Sequence, residues 1–169
     1  MRPPPNLSDD QIEVWQQALE YFQMAFRAQQ EGDLAEAIRL YGISIRLYPS
    51  AEAHTFLGWV YSFVNLFDEA IAECHKAIAV DSTFGNPYND IGAYLMELGR
   101  NQEAVDWFRR AIAAPRYEAR CYPYFNLGRV YERLGEWTLA IKHYRKALDL
   151  CPNYHQAEAA WQLLQAKLN

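Results

Sequence analysis

One frame recurs along this chain: an apolar residue, a glycine, then a large residue three positions on. It appears as Leu57-Gly58 with Tyr61, Ile91-Gly92 with Leu95, and Leu127-Gly128 with Tyr131. Each frame is followed by an alanine and, four residues later, a large or soft side chain. These pairs are Ala70 and Cys74, Ala104 and Phe108, and Ala140 and Tyr144. The pattern predicts helical hairpins. A glycine without a side chain lets a second helix pack close against the first, and the alanine is the small residue facing it. The aromatics and leucines fill the space between neighbouring helices.

The most complete copy runs from Tyr124 to Pro152: Tyr124, Leu127-Gly128, Tyr131, Gly135, Ala140, Tyr144, Ala147, Pro152. It resembles the tetratricopeptide repeat (TPR), whose pattern is Trp-x₂-Leu-Gly-x₂-Tyr, Ala-x₃-Phe, then Pro with a period of 34 residues. Tyr stands here for Trp and for Phe. The resemblance covers nearly the whole chain. It implies an all-α fold, an α-α superhelix of four helical hairpins with a long N-terminal helix and a C-terminal capping helix.

The expected order is a disordered lead at 1–8, a helical extension at 9–17, and repeats at 18–50, 51–84, 85–120 and 121–153. A capping helix at 154–169 follows, giving nine helices. Ser8-Asp9-Asp10-Gln11 has the form of a capping box, and the helix it opens should stop near Gly32. Trp15 is expected to pack the extension onto the first repeat, where Tyr21, Met24 and Ala25 hold the anchor positions. Asp33 with Glu36 is expected to cap the next helix, and Asn86-Pro87 reads as a cap followed by proline at the first helical position. Asn65 stands for a turn glycine and tolerates the left-handed conformation better than most residues. Gly99 to Gly135 is two residues longer than the period. The surplus falls in Ala114–Glu118 and is expected to change the stacking locally or present a small loop.

The 169 residues carry a net charge of −5, so a nucleic-acid backbone is not an expected partner. No apolar run is long enough to span a membrane, and Met1-Arg2-Pro3-Pro4-Pro5 has no apolar segment behind it, so no secretory signal is expected. The three cysteines, Cys74, Cys121 and Cys151, are odd in number and lack a Cys-x-x-Cys spacing. No disulfide is expected from them, and a reducing, cytoplasmic location fits. Cys74 should be a buried core thiol.

Catalytic and metal constellations are not evident. His54, His75, His143 and His155 show no metal-ligand spacing with a Cys or carboxylate. His143 should point from a second helix to solvent, and the histidines read as surface residues. No phosphate loop or nucleophile motif occurs. Arg109-Arg110 and Lys142 to Lys146 read as a solvated outer face. No cofactor and no enzymatic activity are expected.

The resemblance implies a concave groove lined by the first helix of each repeat. By repeat position it should include Phe22 and Phe26, then Thr55, Trp59 and Phe63. Asn89, Ala93 and Glu97 follow, then Tyr122, Phe125, Arg129 and Arg133, with Asn126 at the edge. TPR co-chaperones that grip acidic chaperone tails use a Lys, Asn and Arg clamp at such positions. Phe22 and Phe26 stand where its first Lys and Asn belong, so that partner class is not expected. An aromatic strip with a basic end remains, and buried aromatics are typical binding hot spots. Asn89 can bond a partner's backbone, and Arg129 and Arg133 can pair with a carboxylate. The aromatics can instead pack on one another or lie under the long first helix, or a second copy can fill the groove as a homodimer.

These readings converge on a non-catalytic interaction module that holds a protein or peptide with apolar anchor residues. The alternative is a dedicated chaperone or assembly factor. The chain resembles type III secretion chaperones of the translocator class in acidity, length and helical extension. Its long linker before Asn126-Leu127-Gly128 resembles that of pilus-assembly TPR lipoproteins, although no signal peptide with a lipidated Cys is seen.

Overall fold

The computed structural model describes residues 7–168, so most of the expected N-terminal lead lies outside the described residues. Among them are nine helices: α1 (Asp9–Glu31), α2 (Leu34–Leu47), α3 (Ala51–Phe63), α4 (Phe67–Val80), α5 (Asn86–Glu97), α6 (Asn101–Ala113), α7 (Cys121–Arg133), α8 (Trp137–Leu150) and α9 (His155–Leu168). The fold is all-α. The only strand-like pairing among these residues is one isolated bridge between Phe84 and Arg116. Two compact units divide after Ser82.

In the first unit α1 packs on α2, α2 on α3, and α3 on α4. The Ser8 hydroxyl accepts from the Gln11 backbone N–H, and the Gln11 side-chain Oε1 accepts from the Ser8 backbone N–H, closing the capping box that starts α1. Gly32 ends α1 at φ 84°, and the equivalent turn after α3 uses Asn65 at φ 61°. The core is Ala25, Ala28, Ala37, Leu40, Tyr41, Leu57 and Val60. Small residues on α1 let Tyr41 sink fully between the helices, where its hydroxyl donates to Gln29 at 2.9 Å. Two expectations are corrected here. Met24 is 49% exposed and is no anchor, because Ala25 and Ala28 already occupy the face toward α2. Asp33 caps α2 through the Glu36 N–H, but the Glu36 carboxylate turns to Arg39 (2.6 and 2.7 Å) and takes no part in the cap.

In the second unit α5 packs on α6, α6 on α7, α7 on α8, and α8 on α9. Asn86 is the first residue of α5 and makes no side-chain cap; Gly85 holds the cap position. A methyl added to Gly128 would overlap the Tyr144 ring, and one on Gly92 would meet the Phe108 ring at 2.6 Å. Both rings are fully buried, so neither can retreat without repacking. Gly128→Ala is therefore expected to cost about 1–3 kcal/mol, the usual range for overpacking a tight core. A thermal melt that moves by less than a degree would contradict that close approach.

The Ala114–Glu118 segment is not a free loop. Arg116 N–H donates to the Thr83 carbonyl at 2.9 Å, and Gly85 N–H donates to the Arg116 carbonyl at 3.0 Å. The Arg116 guanidinium lies 4.3 Å over the Phe84 ring. Tyr117 is buried against Gly85, where a Cβ would collide with it. Arg120 donates to the Ile112 and Ala114 carbonyls, satisfying acceptors at the end of α6.

Cys121 and Cys151 form a disulfide across 30 residues, which corrects the expectation of none. The antiparallel packing of α7 and α8 brings the first residue of one beside the end of the other, which a linear spacing does not reveal. The bond also removes the support that the cysteines gave to a reducing compartment. Cys74 lies outside the disulfide and is a buried thiol, as expected.

Candidate functional site

The expected lining residues fall on both units. In the first unit α1 carries Phe22 and Phe26, and α3 carries Trp59 and Phe63. Their common platform is Phe56. Its ring meets Phe22 at 5.2 Å and Phe26 at 5.7 Å, both edge-on, and Trp59 at 4.6 Å. Phe22 also packs edge-on against Tyr41. The result is a continuous aromatic surface. Phe22, Phe56 and Trp59 are half-buried in it, while Phe26 (41% exposed) and Phe63 (59% exposed) stand open.

Phe56 was absent from the expected lining. Its signal lay in the helical spacing Phe56, Trp59, Phe63, which puts all three on one face. Thr55 does not belong with them. It is fully buried, and its hydroxyl donates to the Ala51 carbonyl at 2.7 Å.

In the second unit Asn89 and Asn126 meet side chain to side chain: the Asn126 amide donates to the Asn89 carbonyl oxygen at 3.1 Å. Arg129 reaches the Asn126 oxygen at 3.5 Å and lies 6.0 Å over the Phe125 ring. Arg129 and Arg133 both approach Glu97, at 4.0 and 3.7 Å, and Arg133 donates to the Met96 carbonyl at 2.7 Å. The expected carboxylate for these arginines is thus supplied in part by α5. Tyr122 is exposed and edge-on to Tyr154 at 5.4 Å, while Phe125 packs on Tyr154 at 4.9 Å. Tyr154 was counted only as part of the capping helix. Burial and the neighbouring Tyr122 push its hydroxyl up to about 12, so it stays a neutral donor at all working pH values. Arg129, Glu132, Arg133, Trp137 and Lys167 enclose a cleft of about 330 Å³ beside this patch.

Two histidines depart from the surface reading. His54 is buried on α3, and its Nδ1 lies 2.7 Å from Glu73, whose other oxygen takes Lys76 at 2.6 Å. Burial pushes the Glu73 carboxyl up, but hydrogen bonds from His54 and Lys76 together outweigh it and hold the group below its usual value. His143 does not project freely. It stacks on Tyr124 (6.0 Å) and Tyr131 (5.2 Å), and its Nδ1 is buried without a partner.

Burial, then the Lys142 and Arg109 charges, depress the His143 pKa below 6.5. The unfolded chain therefore takes up this proton before the folded one does. Stability is expected to fall as pH drops through about 6.5, the unfolded value. His143→Gln should flatten the stability profile between pH 5 and 7. An unchanged slope would show that the imidazole is freely solvated.

Among the described residues no three His, Cys, Asp or Glu side chains are placed to hold a metal ion. No described helix is long and apolar enough to cross a membrane.

Tetratricopeptide repeat models match residues 51–84 and 83–153, so the matches run without a gap from Ala51 to Asn153. The chain belongs to the tetratricopeptide repeat family. The TPR fold is one of protein–protein interaction modules. A curated relative, small glutamine-rich tetratricopeptide repeat-containing protein 2 of Mycosarcoma maydis, is 30% identical over 87 residues. That match covers 51% of this chain and only 25% of the relative, so the chain spans about a quarter of its length. Among solved structures, the MamA protein is 28% identical with a TM-score of 0.73, covering 88% of this chain and 80% of its own. PilF of Pseudomonas aeruginosa is 26% identical with a TM-score of 0.84, covering 94% of this chain and 71% of its own.

Proposed function

We propose that this TPR protein is a non-catalytic module that binds a partner segment through apolar anchor residues and holds it in an assembly. The observation that carries this is the aromatic surface of the first unit. Phe26 packs edge-on against Phe56 and stays open, and Phe63, one helical turn beyond Trp59 on α3, exposes a second large ring. Open rings on a fixed base lose little freedom on binding, which is what makes aromatic anchors effective. Asn89, Asn126, Tyr122, Phe125, Arg129 and Arg133 of the second unit offer a separate polar and aromatic patch. No catalytic group takes part in this role.

The test is a pull-down with mass spectrometry using wild type beside a Phe26→Ala, Phe63→Ala variant. A protein retained by wild type and lost from the folded variant supports the reading. Equal capture by both places binding elsewhere.

A second reading is an assembly factor of a bacterial pilus or secretion system. The likeness to PilF and the long segment from Ala114 to the Asn126-Leu127-Gly128 frame favour it. Deleting the gene, counting surface pili by electron microscopy and assaying secreted proteins separates the two readings, because only the second requires pili or secretion to be lost.

A further inference from the structure

The two units carry charge very unequally. The first holds twelve acidic residues against five basic, a net −7; the second holds nine acidic against eleven basic, a net +2. Several charges are neutralised by a neighbour three residues away: exposed Glu36 with Arg39, Arg100 with Glu103, and Asp106 with Arg109, and buried Glu73 with Lys76. On α1 and α8 several exposed charges of one sign lack such a neighbour, and the two helices have opposite signs.

On α8, Lys142, Arg145 and Lys146 are exposed and have no ion pair among the described residues. With Tyr124, His143 and Asp149 they line a cleft of about 390 Å³. Asp149 is the one carboxylate there. The cleft floor is aromatic and its rim is cationic, so it suits an apolar side chain flanked by carboxylates.

Helix α1 presents such a surface. Asp10, Glu13, Gln17 and Glu20 recur at intervals of three and four, so they share one helical face. All four are exposed, and the carboxylates have no ion pair among the described residues. Val14, an exposed apolar side chain, sits within this set. No lysine or arginine occurs in α1 before Arg27.

We propose that the α8 cleft of one copy receives the acidic face of α1 from a second copy, giving a head-to-tail association. The two surfaces differ, so the contact is heterologous and can add further copies. It lies outside the aromatic surface assigned to the partner and does not depend on that assignment. The attraction is between exposed charges, and it is therefore steeply sensitive to salt. The Debye length falls from about 10 Å at 0.1 M to about 3 Å at 1 M.

Sedimentation equilibrium at low and high salt tests this, with circular dichroism as a folding control. At low salt the weight-average mass of the full chain should rise with concentration above the monomer's 19.7 kDa. The association constant should fall at least tenfold in 0.5 M salt. Lys142→Glu with Lys146→Glu should abolish association, as should Glu13→Lys with Glu20→Lys. Mixing the two folded variants should restore it, because each then offers a complement to the other. Phe26→Ala with Phe63→Ala should associate as wild type does. A wild-type monomer at low salt, a mixture that stays monomeric, or association lost with the phenylalanines would each overturn the proposal. Binding of an acidic peptide to the α8 cleft of a protein that stays monomeric would also overturn it, and would assign the cleft to another chain.

Discussion

Reduction of the Cys121–Cys151 bond is expected to lower the apparent melting temperature by more than ten degrees, with the loss confined to the second unit. The bond closes a loop of 30 residues. Opening a loop of that size releases roughly 3–4 kcal/mol of chain entropy into the unfolded state. For a unit of this size each kcal/mol moves the midpoint by about 4–8 °C. Cys121 sits in a cluster with Ala147, Ala157, Phe125 and Tyr154, so the freed segment is also the one that seats α9. Hydrogen exchange read by mass spectrometry should rise in α7, α8 and α9 after reduction and stay constant in α1 to α4. Cys121→Ser with Cys151→Ser should behave as the reduced protein does. Uniform change across both units, or none, would remove the bond's role.

The second large effect concerns the aromatic surface. Phe26→Ala with Phe63→Ala is expected to weaken partner binding by more than tenfold, a loss of over about 1.4 kcal/mol. Folding should hardly change, since both rings are substantially exposed and neither belongs to the buried core. Phe56→Ala should weaken binding too, but with a measurable loss of stability. It removes the ring against which Phe22, Phe26 and Trp59 pack. Titration calorimetry against the captured partner distinguishes the two cases. Equal melting losses in both variants would mean that Phe26 and Phe63 are core residues and that this face is not a binding surface.

The hairpins were legible because their anchors are local. Gly92 and Gly128 stand where a side chain would strike Phe108 and Tyr144, and a glycine held in register with a later aromatic announces that approach in the sequence. The long α1 was legible from its capping box and the glycine that ends it. What was hidden depends on which residues meet across helices. Phe56 shares a helical face with Trp59 and Phe63, but its role as the platform shows only once α1 sets Phe22 and Phe26 against it. Cys121 and Cys151 each fill an apolar slot, and nothing in their spacing tells that antiparallel packing brings them together. His143 looks like a surface residue of α8, because the tyrosines that enclose it come from α7. Met24 failed for the opposite reason: a repeat position predicted burial where two alanines already met the need.

The Ala114–Glu118 segment bears on any attempt to exchange repeats. TPR modules invite recombination because each unit is nominally interchangeable with the next. Here a regular 34-residue module would bring no residue to bond Thr83 and Gly85 and no ring to fill the space that Tyr117 occupies. A chimera joined through that segment would leave two backbone groups without their partners and a hole beside Gly85. The Tyr48–Ser50 junction, which carries no such clip, is the better seam for a graft.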